Sequence, residues 1–536
     1  MVAQLRMVSG ADVSAADDAP AAKTAPLWRH ALMVLLGAAM LMTVIVANKR
    51  PTVFSDTHDY YYQANAIVRD AYNYAVHHKP IITHEMITDH WLHDENGDEE
   101  PIHNELGARS PYYGMFLWSL HHLGTIWLLA AVQATLLAGC IYALWRLAAP
   151  QAPAWTYPAA MAILAIGTPL PLIAGFAVPD ALTGVAVLTG FMLLLYGDKI
   201  NLLWKIAIWC LLAFSFNAHA SHMLNALVLT LLAIGLLLAF KVEAKLLWQR
   251  GALILLAAVA AIAASSVYAV IMHLRTGDDL RSPPFLSIRV IADGPGHTYL
   301  KATCPKNPRW AMCKFKDVPP ADSNTLMWSD DYKLGIFNVS EYPIRDRMER
   351  EDIPFALNVI MFDPLGETGA ALKNWWLQFF SISLNEVLTD PYYYLHDAYW
   401  GRSVLRPLIL GPGWCGHGPH ACKPNFSEDV LRTVHWSFIA AALGFLGWRL
   451  SRTDVRHTFA KRNFTDPRTQ ALLVIVLLVA ATIVNAAVCG MISGVFGRYQ
   501  ARIVWMIPLA AMLTYVAWGL RPHVRPHLEV VSGDRS

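Results

Sequence analysis

Charge is what this chain has least of. Only 15% of its 536 residues are Asp, Glu, Lys or Arg, against about 25% in soluble domains. The net charge of +2 leaves no basic footprint for a polyanion, which excludes nucleic acid as the partner. Several catalytic signatures are also missing. There is no Ser/His/Asp order, no nucleophile elbow, no CxxC and no visible internal repeat. Gly294 and Gly296 stand in a turn, Asp293-Gly294-Pro295-Gly296, without the strand and helix of a phosphate loop. A polar stretch between Lys79 and Arg109 holds His84, Glu85, Asp89, His90, His93, Asp94 and Glu95. These are metal-ligand types, but their spacing matches no ligand motif. The first apolar run starts about thirty residues in and no small-residue cleavage site follows it, so it reads as a span and not a signal peptide.

What is abundant is apolar surface: 55% of the residues are hydrophobic. Crossing a bilayer takes about 20 apolar residues. Ten stretches meet or approach this: Leu32–Val46, Thr125–Leu147, Ala154–Phe176, Ala181–Tyr196, Leu202–Phe216, His222–Phe240, Gly251–Leu274, Val434–Leu450, Ala471–Ile492 and Ile503–Leu520. Basic residues in the short loops give the orientation. Arg6, Lys23 and Arg29 precede the first span. Lys241, Lys245 and Arg250 follow the sixth. Arg449, Arg452, Arg456, Lys461, Arg462 and Arg468 follow the eighth, and Arg521, Arg525 and Arg535 lie in the tail. An even count of ten puts all four groups on one side, which is therefore read as cytoplasmic. The expected organisation is a disordered cytoplasmic arm (1–29), a transmembrane core (30–274) with a first outer loop (48–124), a periplasmic loop domain of mixed structure (275–433), C-terminal transmembrane helices (434–520) and a cytoplasmic tail (521–536).

Cysteine usage fits that orientation. Four of the seven cysteines lie in the second outer segment, where an oxidising periplasm would pair them. Proximity predicts Cys304–Cys313 and Cys415–Cys422, although four cysteines allow three connectivities. Cys140, Cys210 and Cys489 fall in spans and read as packing residues.

The outer face carries the candidate chemistry. The first outer loop opens Phe54-Ser55-Asp56-Thr57-His58-Asp59-Tyr60-Tyr61-Tyr62. Tyr61, Ala64, Val68, Ala71, Tyr72 and Ala75 then recur at helical spacing, which predicts an amphipathic helix on the membrane surface. Asp56 and Asp59 stand at its start, where one acid can cap the helix and the other can do chemistry. Asp59 directly precedes the aromatic-rich helix and is expected to be the cap. Asp56 is expected to be the base. Arg109-Ser110-Pro111-Tyr112-Tyr113 reads as a helix N-terminus with proline in its first turn. Short outer turns add Asp180, His219 and His222, and the pair Arg498-Tyr499. Ionisable residues at span ends are costly unless paired or wet, so each is a functional candidate. Each has a plainer reading too: an interfacial residue facing water, or an arginine reaching for headgroups. Arg498 stands out because the charge rule disfavours a cation on that side.

An acid pair after the first span, a surface helix, an Arg-Ser-Pro opening and a late outer Arg-Tyr together resemble the GT-C superfamily of membrane glycosyltransferases. Protein O-mannosyltransferases and the lipid A aminoarabinose transferase are familiar members. The resemblance covers most of 30–275 and 430–520; the long loop at 275–430 falls outside it. It implies an all-α polytopic fold of about ten transmembrane helices, with Asp56 or Asp59 catalytic in the first outer loop. It implies a polyprenyl-phosphate sugar as donor and a glycan or lipid of the envelope as acceptor, in contact with membrane lipids of the inner membrane. Arg498, Tyr499, Arg109, Tyr112, Asp180, His219 and His222 are then the expected substrate-binding residues. The chemistry needs no cofactor, and a divalent metal ion stays open. The physics agrees: a leaving phosphate calls for a cation, Arg offers a bidentate fork, and a carboxylate can deprotonate the attacking hydroxyl. The rival readings are a transporter, an O-antigen-ligase-like or acyl-transferring enzyme using His219 or His222, and a non-catalytic assembly subunit.

Overall fold

The fold is known from a computed structural model that describes residues 26–79, 82, 91–93, 99–101, 107, 109–277, 279–280, 282–390, 408 and 423–519. Among the described residues eight helices are long and apolar enough to cross a membrane, and the chain is a multi-pass, predominantly helical membrane protein. In chain order the first half comprises α1 (Leu27–Ala47), α2 (Ser55–His77), a hairpin of β1 (Trp91–His93) and β2 (Glu99–Pro101), α3 (Pro111–Leu123), α4 (Ile126–Ala148), α5 (Thr156–Gly167), α6 (Leu170–Ala174), α7 (Asp180–Tyr196), α8 (Leu202–Ala218), α9 (Ala220–Ala239) and α10 (Ala244–Thr276). The second half comprises α11 (Phe285–Ala292), α12 (Pro295–Thr303), α13 (Ser323–Trp328), α14 (Tyr342–Phe362), α15 (Pro364–Phe380), α16 (Glu428–Leu450), α17 (Thr453–Lys461), α18 (Pro467–Ile492), α19 (Gly497–Val504) and α20 (Met506–Gly519).

The helix starts follow local chemistry. Ser110 accepts the Tyr113 N–H, Thr125 that of Trp127, Asn201 that of Trp204 and Asp466 that of Arg468, so orphan donors are satisfied where the spans begin. All ten expected apolar stretches are helical, with one correction. Ala154–Phe176 is not one span but α5 plus α6. Pro169 cannot donate to the preceding turn, and Thr168 Oγ1 instead bonds Leu164 O and receives the Leu170 N–H. Past α6 the chain runs extended and pairs in parallel with the segment after α1: Thr52 N–H donates to Gly175 O and Ala177 N–H to Thr52 O, both at 2.9 Å. This bridge ties the start of α2 to the start of α7.

Every residue of α7 is buried, so it is the centre of the bundle, with α4, α8 and α9 against it. By contrast α10 turns Leu255, Leu256, Val259, Ile262, Val267 and Val270 outward, an apolar surface that lipid must cover. Seventeen residues of α7 separate Asp180 from the chain just before Asp198, a rise of roughly 25 Å. Asp198 pairs with Arg250, and Lys199 donates to Gln470 at 2.7 Å. Those charged groups thus mark one end of the bundle, and Asp180 marks the other.

Of three further expectations, two need correcting. The helix expected after the first span, α2, is formed: Tyr61 and Ala64 of its apolar face are buried where its first half docks on α3, and Ala71, Tyr72 and Ala75 further along are exposed. Gly114 permits that docking: a Cβ there would lie 2.4 Å from Tyr60 O. The 275–433 segment, expected to be of mixed structure, holds helices joined by irregular chain and no strand among its described residues. It has its own core of Ile288, Leu300, Met348, Phe355 and Val359, closed by the Cys304–Cys313 disulfide. Cys415 and Cys422 lie outside the described residues, as do 1–25 and 520–536. Finally, Cys140 and Cys489 are buried as expected, while Cys210 is exposed on α8.

Candidate functional site

At the Asp180 end of the bundle, helices distant in sequence deliver a compact set of charges. Asp56 stands in the first turn of α2. Its Oδ1 receives Arg109 Nη2 at 2.7 Å, and its Oδ2 receives Arg498 Nη2 at 3.2 Å. Arg109 lies just before α3 and also reaches Asp59, Nε to Oδ2 at 3.3 Å. Asp56 and Asp59 therefore share a face of α2, as a spacing of three requires, and one guanidinium serves both. Burial alone would push the Asp56 carboxyl up, but Arg109 and Arg498 outweigh it and hold it below the usual carboxylate range.

Arg498 opens α19 and is fixed from several sides. Its guanidinium lies 4.6 Å from the Phe54 ring centroid and 5.2 Å from that of Tyr499. Its Nε comes within 2.8 Å of Glu386 Oε2. One turn further, Arg502 is fully buried and pairs with Asp180 at 2.9 Å. Arg502 also donates to Ser221 Oγ at 3.0 Å and Asn485 Oδ1 at 3.2 Å, and it lies 4.9 Å from the Tyr499 ring centroid. Asn485 in turn donates to Tyr499 O at 2.6 Å. Tyr499 is thus held between the two arginines.

The sequence-derived candidates separate into groups. Asp56, Asp59, Arg109, Arg498 and Tyr499 meet in one place. Asp180 is beside them but bound to Arg502. His219 Nδ1 accepts the Ser221 N–H and so caps α9. Burial, then Arg502, Arg109 and Arg498, drive its pKa down to about 3, so it stays neutral. The buried His222 bonds Ser215 O through Nδ1. Tyr112 does not join the cluster; its hydroxyl donates to Ala264 O on α10 at 2.5 Å. The expected cap is also wrong. No side chain caps the first turn of α2 among the described residues; Thr57 Oγ1 instead reaches back and accepts the Phe54 N–H at 3.0 Å.

Glu386, Arg502, Asn485, Ser221 and Phe54 were missed as site residues. Arg502 had a signal, since it follows Arg498 by four and shares its helical face. Glu386 had none: it stands in irregular chain after α15, and only the tertiary fold brings it to Arg498. Among the described residues no three His, Cys, Asp or Glu side chains converge as a metal cage. The acidic and histidine-rich stretch 84–95 falls almost wholly outside them.

No family model matches the chain, and no curated protein matches it significantly.

Proposed function

We propose that the chain is a membrane glycosyltransferase of the GT-C type, moving a sugar from a polyprenyl-phosphate donor to an envelope glycan or lipid on the periplasmic face. The observation that carries this reading is the Arg109–Asp56–Arg498 arrangement at one end of a bundle of membrane-spanning helices. A lipid-linked donor keeps its tail in the bilayer and its phosphate at the interface, and charges gathered at one end of the bundle suit that phosphate. In this reading Arg498 grips the phosphate and stabilises it as leaving group. Asp56 takes the proton from the acceptor hydroxyl, and that oxygen attacks the anomeric carbon from the face opposite the phosphate. The C–O bond to phosphate breaks, its electron pair leaves with the phosphate, and the configuration inverts.

The ion pairs bear on which acid acts. Asp56 is ionised but weakened as a base by two cations. When Arg498 also holds the phosphate, its charge is shared with that anion, its pull on Asp56 weakens, and Asp56 gains basicity at the moment it is needed. Asp59 positions Arg109. The test is mass spectrometry of envelope glycans and lipids in a deletion strain, complemented with variants at matched protein level. Asp56→Asn should lose transfer by about 10²–10⁴-fold, the range for a positioned base. Asp59→Asn should lose less. A dead Asp59→Asn with an active Asp56→Asn would reverse the roles, and activity in both would end the glycosyltransferase reading.

A further inference from the structure

Glu386 is the residue the proposed reaction does not use, and its position is specific. Its Oε2 lies 2.8 Å from Arg498 Nε, an ion pair without hydrogen-bond geometry, beside the Nη2 that donates to Asp56. Phe54 and Tyr499 pack against that guanidinium, and two carboxylates share what remains of it. The charge count is equally informative. Asp56, Asp59 and Asp180 are matched by Arg109, Arg498 and Arg502. Among the described residues Glu386 is a further carboxylate on Arg498, beyond the acid that each of these arginines already holds.

We infer that Glu386 occupies the phosphate position on Arg498 and exchanges one for one with the donor's phosphodiester. This rests on the glycosyltransferase reading above. A phosphodiester carries one negative charge, so the exchange leaves the charge of the site unchanged, whereas adding the phosphate without displacing Glu386 would set a third anion beside Asp56 and Glu386 on one guanidinium in a desolvated place. Like charges juxtaposed in such sites are strongly disfavoured. Glu386 is suited to leave. It sits in irregular chain after α15 and not within a helix, and burial, the largest influence on it, pushes its carboxyl above the usual range although Arg498 opposes this. It therefore gives up its charge more readily than Asp56, which the same arginine holds low. After transfer, the returning carboxylate competes with the product phosphate and promotes its release.

The exchange makes donor affinity depend on pH. Protonated Glu386 no longer competes, so affinity rises as pH falls towards its raised pKa. Other groups face the site: Asp56, Asp59 and His58 from α2, Tyr60 behind them, Arg109 before α3, Asp180 from α7, His219 before α9, and Arg502 from α19. Glu428 of α16 meets the same loop through Ser383. The slope belongs to Glu386 only in so far as removing Glu386 removes it.

The experiment measures binding of methyl undecaprenyl phosphate to the purified chain in nanodiscs between about pH 6 and 8. This probe is a phosphodiester, so its own charge is constant across the range spanned by the site's carboxylates and histidines. Glu386→Gln should bind it about tenfold more tightly near neutral pH, the low end of what one desolvated like charge costs, with a flat pH profile. Wild type should tighten as pH falls. Glu386→Ala should repeat the gain, which guards against an effect peculiar to the amide. Equal or weaker binding by both variants, with binding still dependent on Arg498, would overturn the exchange and leave the glycosyltransferase reading intact. Unchanged binding in Arg498→Ala would overturn both.

Discussion

Asp180 and Arg502 form an ion pair that is fully inside the bundle, with side chains 6% and 0% exposed and an N–O distance of 2.9 Å. Breaking such a pair from one side costs about 3–5 kcal/mol, because a buried charge is left uncompensated. The two sides are not equivalent here. In Arg502→Gln the Asp180 carboxylate loses its guanidinium, its one hydrogen-bonding side chain. Its place at the N-terminus of α7 returns part of that, since helix dipoles favour anions by up to about 2 kcal/mol. The expected cost is therefore near the lower end, about 3 kcal/mol. In Asp180→Asn, Arg502 keeps Ser221, Asn485 and Cys489 as partners, and the cost should fall to about 1–3 kcal/mol. Replacing both by apolar residues of similar size, Asp180→Leu with Arg502→Met, removes the charges together and should recover most of the loss. Unfolding midpoints of the purified protein in detergent, followed by tryptophan fluorescence, give the order. If Asp180→Asn is the less stable single variant, or the double variant is no better than the worse single one, the pair is not the structural element described. Asp180→Asn should also leave donor affinity intact, since its carboxylate is committed to Arg502.

Three further outcomes follow. Cys304→Ser should lower the stability of the outer domain by somewhat under about 3 kcal/mol, because the loop it closes is short, and non-reducing peptide mapping of the wild type should find Cys304 linked to Cys313. Burial pushes the Glu367 carboxyl from 4.5 up to about 7; the folded chain then holds a proton that the unfolded chain releases, so stability should fall as pH rises between those values, and Glu367→Gln should flatten that slope in thermal melts. Cysteine-accessibility labelling in intact cells should find 275–433 outside and 450–468 inside; labelling of 450–468 from the periplasm would overturn the orientation.

Helices were legible because their cause is local. Long apolar runs can satisfy backbone polar groups only within themselves, and Ser110, Thr125, Asn201 and Asp466 announce their own starts. The break at Pro169 was equally local and could have been read from the missing N–H. The failures share a different cause. That the first half of α2 packs on α3 depends on Gly114, a residue of another helix whose missing Cβ lets the two backbones meet, and no spacing within α2 shows it. The capping of α2 was assigned to Asp59 by residue type, when position decides it: no side chain caps the first turn among the described residues, and Thr57 stands where its hydroxyl can reach back to Phe54 N–H.

The site shows the same division more sharply. Topology alone was enough to gather Asp56, Asp180, His219 and Arg498 at one end, because each stands where a helix begins or ends and alternating spans return the chain to the same face. Partner assignment was beyond it. Asp180 and Arg498 looked like equal members of a substrate site, yet one arginine four residues further on takes Asp180 out of reach, while Glu386 arrives from irregular chain that carries no periodic signal. A sequence can say which charges share a face, since periodicity and span count fix that. Which of them neutralise one another depends on distances of a few ångströms, and in a desolvated site that choice decides which charge is left over for a ligand. Here Arg502 takes Asp180, while Arg498 is shared by Asp56 and Glu386.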